Sequence, residues 1–136
     1  MLLKTDNKHK RKLKSKKAIE EIFNSGKVVY SPDKKYRAHY LLHSNTDEFG
    51  VKFSVAVSKK AGNAVWRNRV KRLIRETNRL CNKELNDCCL QNKVELKIVF
   101  ATNKINEKNS RKISLTDTQP PIEEILKRIK SGITSS

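Results

Sequence analysis

Residues 51–76 read VKFSVAVSKKAGNAVWRNRVKRLIRE, and the spacing of the apolar residues changes within them. Val51, Phe53, Val55 and Val57 alternate with Lys52, Ser54, Ala56 and Ser58, the period-two signature of a strand with one apolar face. Beyond Gly62, the residues Trp66, Val70, Leu73, Ile74, Thr77, Leu80 and Cys81 fall on one stripe at helical spacing, the signature of a helix with a dry face. Asn68, Lys71, Arg72, Arg75 and Arg79 fall opposite, and Arg67 and Arg69 flank the stripe. From Ser58 to Glu76 there are seven Lys or Arg and one carboxylate. Like charges one turn apart repel, so this helix calls for an anion from outside the chain.

Outward from this stretch, KYRAHYLLH (35–43) and VELKIVF (94–100) read as further strands, and Val28–Tyr30 as a short edge strand. The turn residues NTDEFG (45–50) predict a hairpin joining 35–43 to 51–58. SKKAIEEIFNSG (15–26) predicts a short amphipathic helix, with Ser15 as its N-cap and Gly26 as its stop. PPIEEILKRIKSG (120–132) predicts a closing helix with proline in its first turn and Gly132 as its stop. Residues 101–119, polar and aperiodic, are expected to form a long loop or a disordered insertion. Residues 1–14 carry six Lys or Arg and one acid and are expected to be a basic flexible arm. The class is α+β: one domain over 15–136, a single small sheet with helices packed on it.

A formal charge of +17 in 136 residues, a third of them charged, points to a polyanionic partner. The arginines of the basic helix sharpen this to phosphate, which suits a planar guanidinium fork. Cys81, Cys88 and Cys89 are odd in number and lack C-x-x-C spacing, so free thiols in a reducing compartment are expected. No apolar run suits a signal peptide or a membrane span, and a cytoplasmic protein is expected. Nucleophile–His–Asp signatures, H-E-x-x-H and phosphate-binding glycine loops are missing, so no catalytic residue and no protein-bound metal is expected. The segment before the basic helix is strand-like, which argues against a helix-turn-helix and against DNA as partner.

In the basic helix, Asn63 is the expected N-cap and Gly62 would let the backbone approach a ligand. The helix N-terminus, with Lys59 and Lys60 beside it, would attract a phosphate. Asn68, the neutral member of Arg67–Asn68–Arg69, can donate and accept, as a ribose or base edge requires. His39 and His43 share one strand face, where a satisfied sheet histidine is expected over a catalytic base.

The block VSKKAGNAVWRNRVKRLIRE (57–76) resembles the signature of the protein subunit of bacterial ribonuclease P, and KLKSKKAIEEIFNSGKVV (12–29) is similar to that family's N-terminal helix. The resemblance implies a β-α-β unit with a left-handed crossover, an exception to the usual hand, in a fold shared with a ribosomal protein domain. It implies partnership with a catalytic RNA that, holding Mg²⁺, removes the 5′ leader of precursor tRNA. No cofactor would be bound by the protein alone. It places Lys59, Lys60, Asn63, Arg67, Asn68, Arg69, Lys71, Arg72 and Arg75 on the RNA face. It places Ile19, Phe23 and His39 in a cleft for the single-stranded leader. Ile19 and His39 stand where the family commonly has aromatics, Ala56 replaces a common Ser, and the segment after Phe100 lacks the usual Arg-Pro turn. The alternative with the same charge is a structural RNA-binding protein of the ribosome.

Overall fold

A computed structural model describes residues 15–44 and 46–134; the expected arm over 1–14 lies outside them. Helix α1 spans Lys16–Ser25, strands β1, β2 and β3 span Lys27–Tyr30, Tyr36–His43 and Gly50–Ala56, and a 3-10 turn covers Lys59–Ala61. Helices α2 (Ala64–Cys81) and α3 (Lys83–Gln91) follow, then β4 (Glu95–Thr102) and α4 (Leu115–Thr134). The strands form one four-stranded mixed sheet in the order β1-β2-β4-β3. Among the described residues, no helix is long and apolar enough to cross a membrane.

The predicted hairpin between β2 and β3 does not form. β4 lies between them, antiparallel to β2 (Ala38 opposite Phe100) and parallel to β3 (Val55 opposite Phe100). The reason is in β4 itself: Leu96, Ile98 and Phe100 are buried on one face, and Val99 and Ala101 on the other. A strand apolar on both faces belongs in the middle of a sheet. The parallel β3–β4 pair needs a long crossover, supplied by α2 and α3. The short strand at 27–30 is the expected edge, antiparallel to β2.

One sheet face carries the main core, where Tyr36, Ala38, Val51, Val55, Leu96 and Phe100 meet α2, α3 and α4. The hydroxyls of Tyr36 and Thr118 lie 3.3 Å apart and tie β2 to α4. Helix α3 was not foreseen in the sequence. It buries Leu85, Cys88 and Cys89, all three cysteines are free thiols, and burial, with Cys88 beside it, pushes the Cys89 thiol up to about 12. Helix α1 covers part of the opposite face, through Ile22 against Val99 with Ala18, Ile19, Leu41 and Ala56 around them.

The segment expected as a loop over 101–119 is shorter and packed. β4 runs to Thr102, and α4 starts at Leu115 with Pro120 and Pro121 inside it. The early start comes from a capping box: the Asp117 carboxylate accepts from the Ser114 backbone N–H at 3.1 Å, and Ser114 Oγ accepts from the Asp117 N–H at 3.4 Å. Ile105 and Ile113 bury their side chains in the core at 5% and 4% exposure, so the connection 103–114 is pinned near both ends.

The two expected helix stops behave differently. Gly26 ends α1 with its N–H donating to Ile22 O at 2.9 Å. A Cβ there would clash with Ile22 O and stand 2.8 Å from Tyr40 O, so close approach of α1 to β2 requires glycine. Gly132 does not stop α4, which continues to Thr134, and a Cβ there meets nothing within 4 Å. Gly26→Ala is therefore expected to cost ~1–3 kcal/mol through forced backbone movement. Gly132→Ala should instead stabilise by ~0.5–1 kcal/mol through helix propensity. Urea unfolding of both variants checks the opposite signs.

Candidate nucleic-acid interface

Helix α2 is set in place at its first turn. Asn63 Oδ1 accepts from Trp66 N–H at 2.9 Å, the expected cap. The Glu107 carboxylate, from the 103–114 connection, accepts from the Asn63 backbone N–H at 2.9 Å and from its Nδ2 at 3.0 Å. Trp66 is 4% exposed and its indole N–H donates to Ser110 O at 3.0 Å. Arg69 Nη2 donates to Ile113 O at 2.9 Å. The connection thus runs along the first two turns of α2, touching residues 63, 66 and 69.

This alters two expectations at the helix start. The Asn63 amide is used at both ends within the chain, and the positive end of the helix already faces the Glu107 carboxylate. Gly62 permits a close approach, but to the chain itself: a Cβ there would stand 2.8 Å from the Trp66 ring and 2.9 Å from Glu107 Cβ. Lys59 and Lys60 are exposed beside this corner, in the 3-10 turn rather than at a strand end.

The buried line of α2 is Trp66, Val70, Ile74, Thr77 and Asn78. Leu80, expected in the dry stripe, is 62% exposed, while Asn78 is fully buried. The dry face is turned toward Asn78 and Asn82, the corner from which the unforeseen α3 departs. Neither amide atom of the Asn78 side chain finds a hydrogen-bond partner among the described residues.

Arg67, Lys71, Arg75 and Arg79 each follow the buried line by one residue and stand four residues apart along one ridge. Arg67, Lys71 and Arg75 are half-buried and Arg79 exposed, while Asn68 and Arg72 are exposed next to them. Arg67 Nε is buried without a hydrogen-bond partner among the described residues. Among the described residues, no ion pair engages any cation of α2 or of the turn before it. The ridge holds three like-charge pairs at i, i+4, each costing ~0.2–0.5 kcal/mol.

The face of the sheet that carries α1 is a second surface. Phe23 lies against His39 with ring centroids 4.6 Å apart and planes tilted by 59°. Ile19 packs into the α1–sheet contact around Ile22 and Val99. Phe23 and His39 thus meet beside the α1–sheet contact, in which Ile19 takes part. Tyr30 pairs with Arg37, and Val28 with His39, which puts Tyr30 and Val28, each 43% exposed, on this same face. Sequence reading missed Tyr30 because strand register, which no single-chain pattern supplies, decides its face. Arg37 could have been found, since it lies two residues from His39 in one strand. Further along this face Lys52 pairs with Glu48 and, at 3.0 Å, with Glu95. Among the described residues its cations are partly neutralised; those of α2 are not.

Arg37 Nε donates to His39 Nε2 at 3.1 Å, while Arg37 Nη1 donates to Thr102 O at 2.9 Å. An accepting Nε2 requires neutral imidazole. Burial first, then the Arg37 charge, holds the His39 pKa below the usual 6.5. The unfolded chain therefore takes up this proton first as pH falls. Stability present at neutral pH is lost from about 6.5 downward, until the folded form also protonates. Melting temperature measured from pH 7.5 to pH 5 should fall more steeply for the parent than for His39→Phe, which has no such proton; parallel curves would refute this.

Residues 8–130 match the family model described as Ribonuclease P. The "Ribonuclease P protein component" of Bacillus pumilus is 36% identical over 69 residues, covering 51% of this chain and 55% of that protein. Its counterpart from Geotalea uraniireducens is 50% identical over 46 residues, covering 33% and 41%. The chain spans about half the length of the curated relatives it matches. Among solved structures, the RNase P protein of Staphylococcus aureus superposes with a TM-score of 0.67 at 22% identity, covering 88% of this chain and 95% of that one. The RNase P protein of Thermotoga maritima gives 0.66 at 20% identity, covering 86% and 96%. At those identities the likeness is one of fold.

Proposed function

The chain belongs to the ribonuclease P protein family, and from that premise we propose that it is the protein subunit of an RNA-based endoribonuclease. In this reading the α2 ridge and its neighbours Asn68 and Arg72 dock the catalytic RNA, and the cleft between α1 and the sheet receives the 5′ leader of precursor tRNA. The observation that carries the reading is the α2 ridge: cations without carboxylate partners among the described residues, fixed in direction by a buried tryptophan. Phosphates would relieve that repulsion and release counterions from the RNA.

The two surfaces divide the work. On α2, guanidinium forks suit phosphate and Asn68, whose amide makes no hydrogen bond among the described residues, suits a ribose or base edge. In the cleft, Phe23, Tyr30 and His39 offer ring surfaces, on which unpaired bases stack for ~1–3 kcal/mol each. Arg37 sits between Tyr30 and His39, holding the His39 ring neutral and in place. Among the described residues, no three His, Cys, Asp or Glu side chains converge to hold a metal ion. The proposal assigns Mg²⁺ and the hydrolysis of the phosphodiester to the RNA, with the protein binding and orienting. It places the protein in the cytoplasm, with neither DNA nor membrane as partner. The ribosomal alternative finds no support in the family match.

The test is reconstitution. Rigorously RNA-free protein should leave precursor tRNA intact. Adding the RNA subunit from the same organism with Mg²⁺ should release the leader at the mature 5′ end. Cleavage by the protein alone would refute the division of labour.

A further inference from the structure

The connection 103–114 holds Lys104, Lys108, Arg111 and Lys112 and a single acid, Glu107. Glu107 is turned inward, onto Asn63. Its backbone N–H also donates to Ala61 O at 2.7 Å, directly beside Lys59 and Lys60. The anchoring residues recur at every third position: Glu107 at Asn63, Ser110 at Trp66, Ile113 at Arg69. Between the anchors, Lys108, Asn109, Arg111 and Lys112 are exposed. Six residues of helix rise ~9 Å, so three free cations lie along a strap about that long. None of them has an ion-pair partner among the described residues.

The strap is braced, not slack. Asn106 and Asn109 exchange hydrogen bonds, each backbone N–H donating to the other's side-chain oxygen at 2.9 Å. Asn109 Nδ2 donates to Lys104 O at 2.9 Å, and Ser110 N–H to Asn106 O at 2.8 Å. Cations on a preformed loop bind with less entropy lost than cations on a mobile one.

We infer that the connection 103–114 is a second RNA-docking element, a rigid cationic strap that extends the α2 interface around the helix N-terminus and takes the phosphate backbone of the same RNA. The inference rests on the RNA-binding reading above. The occupant follows from charge and continuity: the strap adjoins Lys59 and Lys60 at one end and Arg69 at the other, and its only carboxylate is withdrawn. Arg69 is then a positioning residue, its guanidinium committed in part to the strap.

The experiment compares the full chain carrying Lys108→Gln, Arg111→Gln and Lys112→Gln together with one carrying Lys83→Gln, Lys93→Gln and Lys127→Gln. Both lose three charges from exposed side chains, and equal melting temperatures verify folding. Each is titrated with the RNA subunit of bacterial ribonuclease P from the same organism, transcribed in vitro, over a series of KCl concentrations at fixed Mg²⁺. Each phosphate contact contributes ~0.7–0.9 to the slope of log affinity against log salt. The strap variant should lose about two to three units of slope, and the remote variant less than about one. Equal slopes for the two variants, with the parent binding and Arg72→Gln weakening it, overturn the strap alone. A parent that does not bind this RNA saturably overturns the strap and the family-based reading together.

Discussion

The interface depends on the roll of α2 about its own axis, and Trp66 fixes that roll. The ring is almost fully buried, its indole N–H is held by Ser110 O, and a Cβ on Gly62 would stand 2.8 Å from it. Val70, Ile74 and Asn78 continue the buried line at four-residue steps. One residue later on the helix is ~100° of rotation, so Arg67, Lys71, Arg75 and Arg79 are all carried to the rim of the buried face. The same residues on a helix free to roll would present charge in every direction; here they form one ridge.

The magnitudes say which effect governs. Burying a large apolar side chain contributes ~1.5–3 kcal/mol, and α2 buries Trp66, Val70 and Ile74. The three repulsive pairs of the ridge cost on the order of 1 kcal/mol together. Packing therefore holds the helix with its charges unpaired among the described residues, and in the proposed reading an RNA phosphate backbone would gain from an arrangement already made. On the α1 side Glu95 and Glu48 engage Lys52, and aromatic surface replaces net charge as the main feature. In the proposed reading the two faces take different RNAs: the backbone of the catalytic RNA on one, unpaired leader bases on the other.

Much of this was legible in the sequence. Local patterns of period two and 3.6 located α1, β2, β3, α2 and β4, and the Arg67–Asn68–Arg69 cluster was visible as charge sorted onto one side of a helix. What stayed hidden is long-range. NTDEFG carries turn residues, but whether two strands pair is decided by whatever else can pair with them, and β4, apolar on both faces, displaces β3 from β2. Pro120 and Pro121 mark a helix start by local rule, yet Ser114 and Asp117 cap the helix a turn and more upstream. The 103–114 connection looked structureless because its order comes from contacts with residues some 44 positions away. Those contacts also commit Asn63, and Arg69 in part, to the chain itself.

The central claim is that the α2 ridge is a positioned docking site and not diffuse charge. Its most direct test is the affinity of folded Asn68→Ala for the catalytic RNA subunit, set beside Arg67→Ala and Lys127→Ala over a range of salt. Asn68→Ala removes no charge, so it should leave the salt slope unchanged and still weaken binding. Arg67→Ala should lower the slope by about one and retain a further loss of ~1–3 kcal/mol at high salt. Lys127→Ala should do neither. Binding of Asn68→Ala equal to the parent, with Arg67→Ala indistinguishable from Lys127→Ala, would contradict the account.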